Sequence, residues 1–169
     1  MAELAHRVFD HLDRRQVLVV GADPSSLAAA EALGRAGVST FVVVGGGTTD
    51  GAAAQLGATV VGPEALSVVL GCSDVVLACA GTGLPLLDKR LVKGALRARR
   101  GRPMLLVDGS AGAETAIEPR VAALDGAFLY TVADLASITR ETPWARLGSA
   151  PSRNAAIAEA ARAFSYQLS

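Results

Sequence analysis

Apolar residues in this chain cluster in short runs, and each run is separated from the next by a stretch whose apolar positions recur at helical spacing. The runs at 17–20, 40–44, 59–61, 74–78, 104–107 and 127–130 are apolar throughout or nearly so, as strands covered on both faces are. Between them, 24–36 carries Ala28, Ala29, Ala30 and Ala32, and 88–99 carries Leu91, Val92, Ala95 and Leu96. A short helix is expected to end near Gly57, and another to run from Pro63 to about Leu70 with Glu64 in its first turn. A further helix begins at 132–139, with breaks at Thr142-Pro143 and at 148–152. Helical stripes also flank the pattern: Leu4, Ala5, Val8, Phe9 and Leu12 at one end, Ile157, Ala161, Phe164 and Leu168 at the other. Strands alternating with helices at this pitch predict an α/β fold, a doubly wound parallel sheet of about six strands with helices on both faces. One domain is expected over 1–150, with a lead-in helix. Residues 151–169 then form a helix packed on that domain or on a partner.

Composition narrows the function. Sixteen basic and sixteen acidic side chains cancel, so no overall excess points to nucleic acid. The local run Arg97, Arg99, Arg100 and Arg102 reads as a solvated helix end favoured by the helix dipole. No apolar run approaches the ~20 residues of a membrane helix, and 1–16 lacks the continuous apolar stretch of a signal peptide. Two cysteines, Cys72 and Cys79, fit a reducing cytoplasm and form no metal motif. Cys79 has no neighbouring base in sequence and reads as a core residue; His6 and His11 read as surface residues. Neither a nucleophile with its base nor a pair of carboxylates emerges for catalysis.

The first run leads into Gly21-Ala22-Asp23-Pro24-Ser25-Ser26. A strand entering a glycine turn that opens a helix is the phosphate loop of a Rossmann-like fold. The second glycine of that loop, which lets backbone approach a pyrophosphate, is replaced here by Asp23. Asp23 followed by Pro24 also makes an N-cap and first helical residue, so the carboxylate competes for the N–H groups a phosphate would use. Ser25 and Ser26 hydroxyls offer donors to an anion. Against them, like charges ~4 Å apart cost about 4 kcal/mol at an effective dielectric of ~20. After the second strand, Gly45, Gly46 and Thr48 supply neither the acid that grips a ribose nor the arginine that selects a 2′-phosphate. Ala80, Gly81 and Thr82, after the fourth strand, fall where a nicotinamide ribose rests in such folds. Asp108, ending the fifth, either faces the same crevice or caps the following turn.

Four stretches resemble the nucleotide-binding domain of glutamyl-tRNA reductase: Ala2-Glu3-Leu4-Ala5 running to Gly21; Ser73-Asp74-Val75-Val76-Leu77-Ala78-Cys79-Ala80-Gly81-Thr82; 91–107 with its Arg-Arg-Gly-Arg-Pro run and Asp108; and Leu124-Asp125-Gly126-Ala127-Phe128-Leu129-Tyr130 followed by Val132-Ala133-Asp134-Leu135. The resemblance spans residues 2 to about 165. It implies an NADP-binding domain from an enzyme that reduces tRNA-linked glutamate to an aldehyde, the entry step of tetrapyrrole synthesis. Four departures accompany it. The family's catalytic domain precedes the matching region, and Met1 stands where it would end. The family's Gly-Ala-Gly-x-x-Gly keeps only its first glycine here, and the Asn-Arg-Thr that holds the 2′-phosphate is replaced by Gly45-Gly46-Gly47-Thr48. The family's Val-Pro-Arg-Asp gives way to Ser110-Ala111-Gly112-Ala113-Glu114.

The resulting expectation is a non-catalytic binding or regulatory module with a degenerate loop, working with a protein partner in tetrapyrrole metabolism. The alternative is an NAD(P)H-binding oxidoreductase subunit that serves a separate catalytic polypeptide. No membrane and no direct nucleic-acid contact are expected, and the last helix leaves a homodimer open.

Overall fold

The computed structural model describes residues 14–21, 24–35, 37–45, 50–79, 85–110, 114–131 and 134. In chain order the elements are β1 (Gln16–Val20), α1 (Pro24–Arg35), β2 (Thr40–Val44), α2 (Asp50–Leu56) and β3 (Thr59–Val61). A 3₁₀ turn (Pro63–Ala65) then leads into α3 (Leu66–Cys72), followed by β4 (Val75–Ala78), α4 (Lys89–Ala98) and β5 (Met104–Asp108). A second 3₁₀ segment (Pro119–Ala123) precedes β6 (Ala127–Thr131). The six strands form one parallel sheet in the order β3-β2-β1-β4-β5-β6. The chain leaves β1 in one direction for β2 and β3, then returns to place β4 on the other side of β1. Sheets of this order put their ligand crevice outside the carboxyl ends of the strands at that reversal.

Side-chain alternation along each strand divides the core into two layers. Val17 and Val19 join Val43, Val75, Leu77, Leu105 and Val107 under Ala30 and Leu33 of α1 and Ala53 of α2. Leu18 and Val20 join Val44, Val76, Ala78 and Leu106 under Leu70 of α3 and Val92, Ala95 and Leu96 of α4. Both faces of β1, β4 and β5 are therefore apolar, which is why these strands read as continuous runs rather than alternating ones.

The helix expected from Pro63 is observed, but its first turn is 3₁₀. α4 begins after Asp88, whose Oδ1 accepts from the Leu91 N–H at 2.7 Å. The segment between β5 and β6 has no periodic spacing. It is held by a bridge between Leu87 and Ile117 and by the 3₁₀ turn at Pro119. The expected helices at 2–12 and 153–168 lie outside the described residues, as does most of the one expected at 132–139.

The reading of Arg97, Arg99, Arg100 and Arg102 as a solvated helix end is corrected at one position. Arg99 is 2 % exposed. Its Nη2 reaches Asp74 Oδ1 at 2.6 Å and the Pro103 carbonyl at 2.9 Å. Nη1 donates to the Ser73 carbonyl, and Nε to the Arg102 carbonyl. Arg99 continues the buried stripe of α4, three residues past Leu96 and four past Ala95, so its head group lies under the sheet at the start of β4.

Candidate functional site

Gly21 ends β1 with φ +73, a left-handed conformation that glycine adopts without strain. A Cβ at this position would collide with the carbonyl oxygen of Cys79, at the end of the adjoining β4. Space and dihedral thus both demand glycine, and the chain turns sharply at the sheet reversal. Ser26, on the first turns of α1, is buried, and its hydroxyl donates to the Gly21 carbonyl at 3.0 Å. In the loop motif this position belongs to the third glycine, which allows close helix–strand packing. Serine is small enough to keep that packing and ties helix to turn.

A cavity of about 460 Å³ opens beside this turn, at the carboxyl ends of β1 and β2. Val20, Gly21, Val44 and Gly45 line it from the strands, Pro63 and Leu66 from the start of α3, and Leu86 from the segment before α4. Every lining residue among those described is apolar or glycine. Among the described residues, the lining offers no cation to a phosphate.

The expected site residues divide into three groups. Gly21 and Gly45 line the cavity, and Ser26 braces its turn. Asp108 stands apart: it is 5 % exposed, with Oδ1 accepting from the Ser110 N–H at 2.9 Å and Oδ2 from the Ile117 N–H at 3.0 Å. It closes the turn after β5, the second of the two roles open to it. Ser25 lies on α1, with its side chain outside the described residues, and Ala22, Asp23, Gly46, Thr48, Ala80, Gly81 and Thr82 lie outside them altogether. Val20, Val44, Pro63, Leu66 and Leu86 join the lining without belonging to any motif. Val20 and Val44 close apolar runs at the same sheet edge, and that much is visible in the sequence. Leu86 carries no signal, since its segment shows no periodicity. Among the described residues, no group of three or more His, Cys, Asp and Glu is placed to hold a metal ion, and no helix is long and apolar enough to cross a membrane.

The strand order and the glycine turn at its reversal define a Rossmann-like α/β domain. The chain belongs to the shikimate / quinate 5-dehydrogenase family, whose model matches residues 3–138. It is 38% identical over 140 residues to the glutamyl-tRNA reductase of Shewanella sediminis, a match covering 82% of this chain and 33% of that protein. The chain thus spans about a third of the length of the curated relatives it matches. Among solved structures, the glutamyl-tRNA reductase of Methanopyrus kandleri superposes with a TM-score of 0.70 at 28% identity, covering 98% of this chain and 42% of that one. The nucleotide binding domain of the Thermoplasma volcanium glutamyl-tRNA reductase shares the fold, with a TM-score of 0.55 at 14% identity over 86% of this chain and 97% of that one. The resemblance read from the sequence stands.

Proposed function

We propose that this domain is a non-catalytic binding or regulatory module that holds a flat nucleoside-like ring in the cavity between the ends of β1 and β2. The cavity carries the reading: it adjoins the Gly21 turn, is lined among the described residues by apolar side chains and glycine, and lies where this fold accepts ligands. NADP, the group implied by the glutamyl-tRNA reductase relatives, fits in part. Val20, Val44, Pro63 and Leu66 would hold its adenine, and a bound nicotinamide would supply hydride. Among the described residues the lining offers nothing to a 2′-phosphate, and Asp23 replaces the glycine that would let a diphosphate approach. The repulsion of about 4 kcal/mol at an effective dielectric of ~20 corresponds to roughly a thousandfold in affinity. A role in tetrapyrrole metabolism, suggested by the relatives' name, belongs to the same proposal, as do a place in the cytoplasm and a protein partner.

The second reading is an NAD(P)H-binding oxidoreductase subunit, favoured by family membership and by the retained geometry at Gly21. Calorimetric titration of adenosine, NADH and NADPH into wild-type protein and Asp23→Gly separates the two. The module predicts adenosine binding that equals or exceeds NADPH binding in wild type. Asp23→Gly should then raise NADPH affinity at least about tenfold. Tight NADPH binding by wild type, unimproved by Asp23→Gly, would establish the second reading instead.

A further inference from the structure

The outer face of α4 holds a concentration of charge that the fold does not account for. The chain as a whole is neutral, with 16 basic residues. Half of them, including both lysines, fall between 89 and 120: Lys89, Arg90, Lys93, Arg97, Arg99, Arg100, Arg102 and Arg120. Arg99 is consumed in the buried pair with Asp74. Arg90, Lys93 and Arg97 are exposed and form no ion pair among the described residues. With 100° between successive residues they lie on one stripe, opposite the buried Val92, Ala95 and Leu96.

Local energetics oppose this arrangement. Lys89–Lys93 and Lys93–Arg97 are like-charge pairs at i,i+4 and Arg90–Lys93 at i,i+3, each destabilising by about 0.2–0.5 kcal/mol. The helix dipole favours Arg97 in the last turn but disfavours Lys89 and Arg90 in the first. A helix that merely needed solubility would alternate signs along this face. Shape adds to charge. Gly94 sits mid-stripe, exposed, and a Cβ there would meet nothing within 4 Å. Two open grooves meet at Gly94. One, of about 540 Å³, is floored by Leu91 and Ala95 and reaches Ser67 of α3; the other, of about 620 Å³, runs between Lys89, Lys93 and Arg97 and Arg120.

We infer that this face docks an acidic helical segment of another protein. Carboxylates four residues apart on such a helix are about 6 Å apart along its axis, the same rise that separates Lys89, Lys93 and Arg97. The notch at Gly94 lets the partner's backbone approach, and the half-buried Leu91 beside it offers apolar surface to its aliphatic carbons. Asp88 and Glu118 stand at the Lys89 end, where Glu118 accepts from the Lys89 N–H at 2.8 Å, and they set the direction in which an acidic partner can lie. Those two acids and the absence, among the described residues, of an aromatic side chain from either groove's lining disfavour a nucleic-acid strand.

The test is fluorescence anisotropy with a labelled Glu-rich helical peptide carrying carboxylates at i,i+4, against a labelled oligothymidine of similar length. Wild type is compared with Lys93→Glu/Arg97→Glu and with Lys93→Ala/Arg97→Ala. Peptide binding should weaken at least about tenfold in the charge-reversed protein, less in the alanine variant, and fall steeply from about 50 to about 300 mM salt. Both variants should melt no lower than wild type, because repulsion along α4 is relieved, and adenosine binding should be unchanged. Absence of peptide binding at low salt, binding indifferent to charge reversal, or equal or tighter binding of the oligothymidine would overturn the inference.

Discussion

Gly21 concentrates two constraints in one residue. Its φ of +73 strains any side chain, and the Cys79 carbonyl fills the space a Cβ would take. Gly21→Ala is expected to lower stability by roughly 2–3 kcal/mol, read from urea unfolding, and to weaken any ligand held in the adjoining cavity. The need for glycine was legible in the sequence, because a buried strand that meets a helix-opening Pro within four residues has to turn sharply between them. The work of Ser26 was not. A hydroxyl at the start of a helix reads equally as an anion donor or as a brace, and the 3.0 Å bond to the Gly21 carbonyl that shows the brace appears only in the fold. Asp108 shows the same ambiguity: a carboxylate at a strand end can face a crevice or close a turn, and its two backbone donors settle it.

At the scale of elements, the joint between α4 and β4 matters most. Arg99 at the end of α4 and Asp74 at the start of β4 are both buried, and Arg99 also satisfies the carbonyls of Ser73 and Pro103. Asp74 reaches in turn toward the Gln16 N–H at 3.4 Å, and the Gln16 side chain donates to Ser73 Oγ at 3.1 Å, which brings β1 into the same network. Removing one charge leaves the other buried alone. Arg99→Met should therefore cost about 3–5 kcal/mol, whereas Arg99→Met with Asp74→Leu should recover much of that loss, measured in a double-mutant cycle by denaturant melts. The run Arg97-Ala98-Arg99-Arg100 hides this residue among solvated neighbours. Counting three and four residues on from Leu96 and Ala95 would have found it, because the buried stripe does not stop where the apolar residues do. By contrast, α4 itself and its Asp88 cap were readable, since a helix with a strong apolar stripe and an acid before it carries both signals at once.

Across the whole molecule, the order β3-β2-β1-β4-β5-β6 places β1 and β4 at the centre and β3 and β6 at the margins. The central strands are covered by both core layers, whereas β3 has exposed or half-buried residues along its length. Hydrogen exchange should accordingly find β1 and β4 amides protected at least about tenfold more than those of β3, a gap of ~1.4 kcal/mol in opening free energy. Uniform protection across the sheet would contradict the layered core. This architecture was legible because each central strand is apolar on both faces and the crossovers have helical spacing. The connection from β5 to β6 was not, since its 3₁₀ turn and single bridge leave no periodic trace. Nor was the cavity as a whole, because its walls come from four separate stretches that only the completed sheet brings together.

The crowding of Gly21 against Cys79, with Ser26 tethering the same turn, has a thermodynamic consequence for recognition. A wall held by packing, backbone dihedral and a hydrogen bond loses little freedom when something settles against it, so a ligand's contacts there go almost undiminished into affinity. Even a small, weakly functionalised ring can then register on this surface.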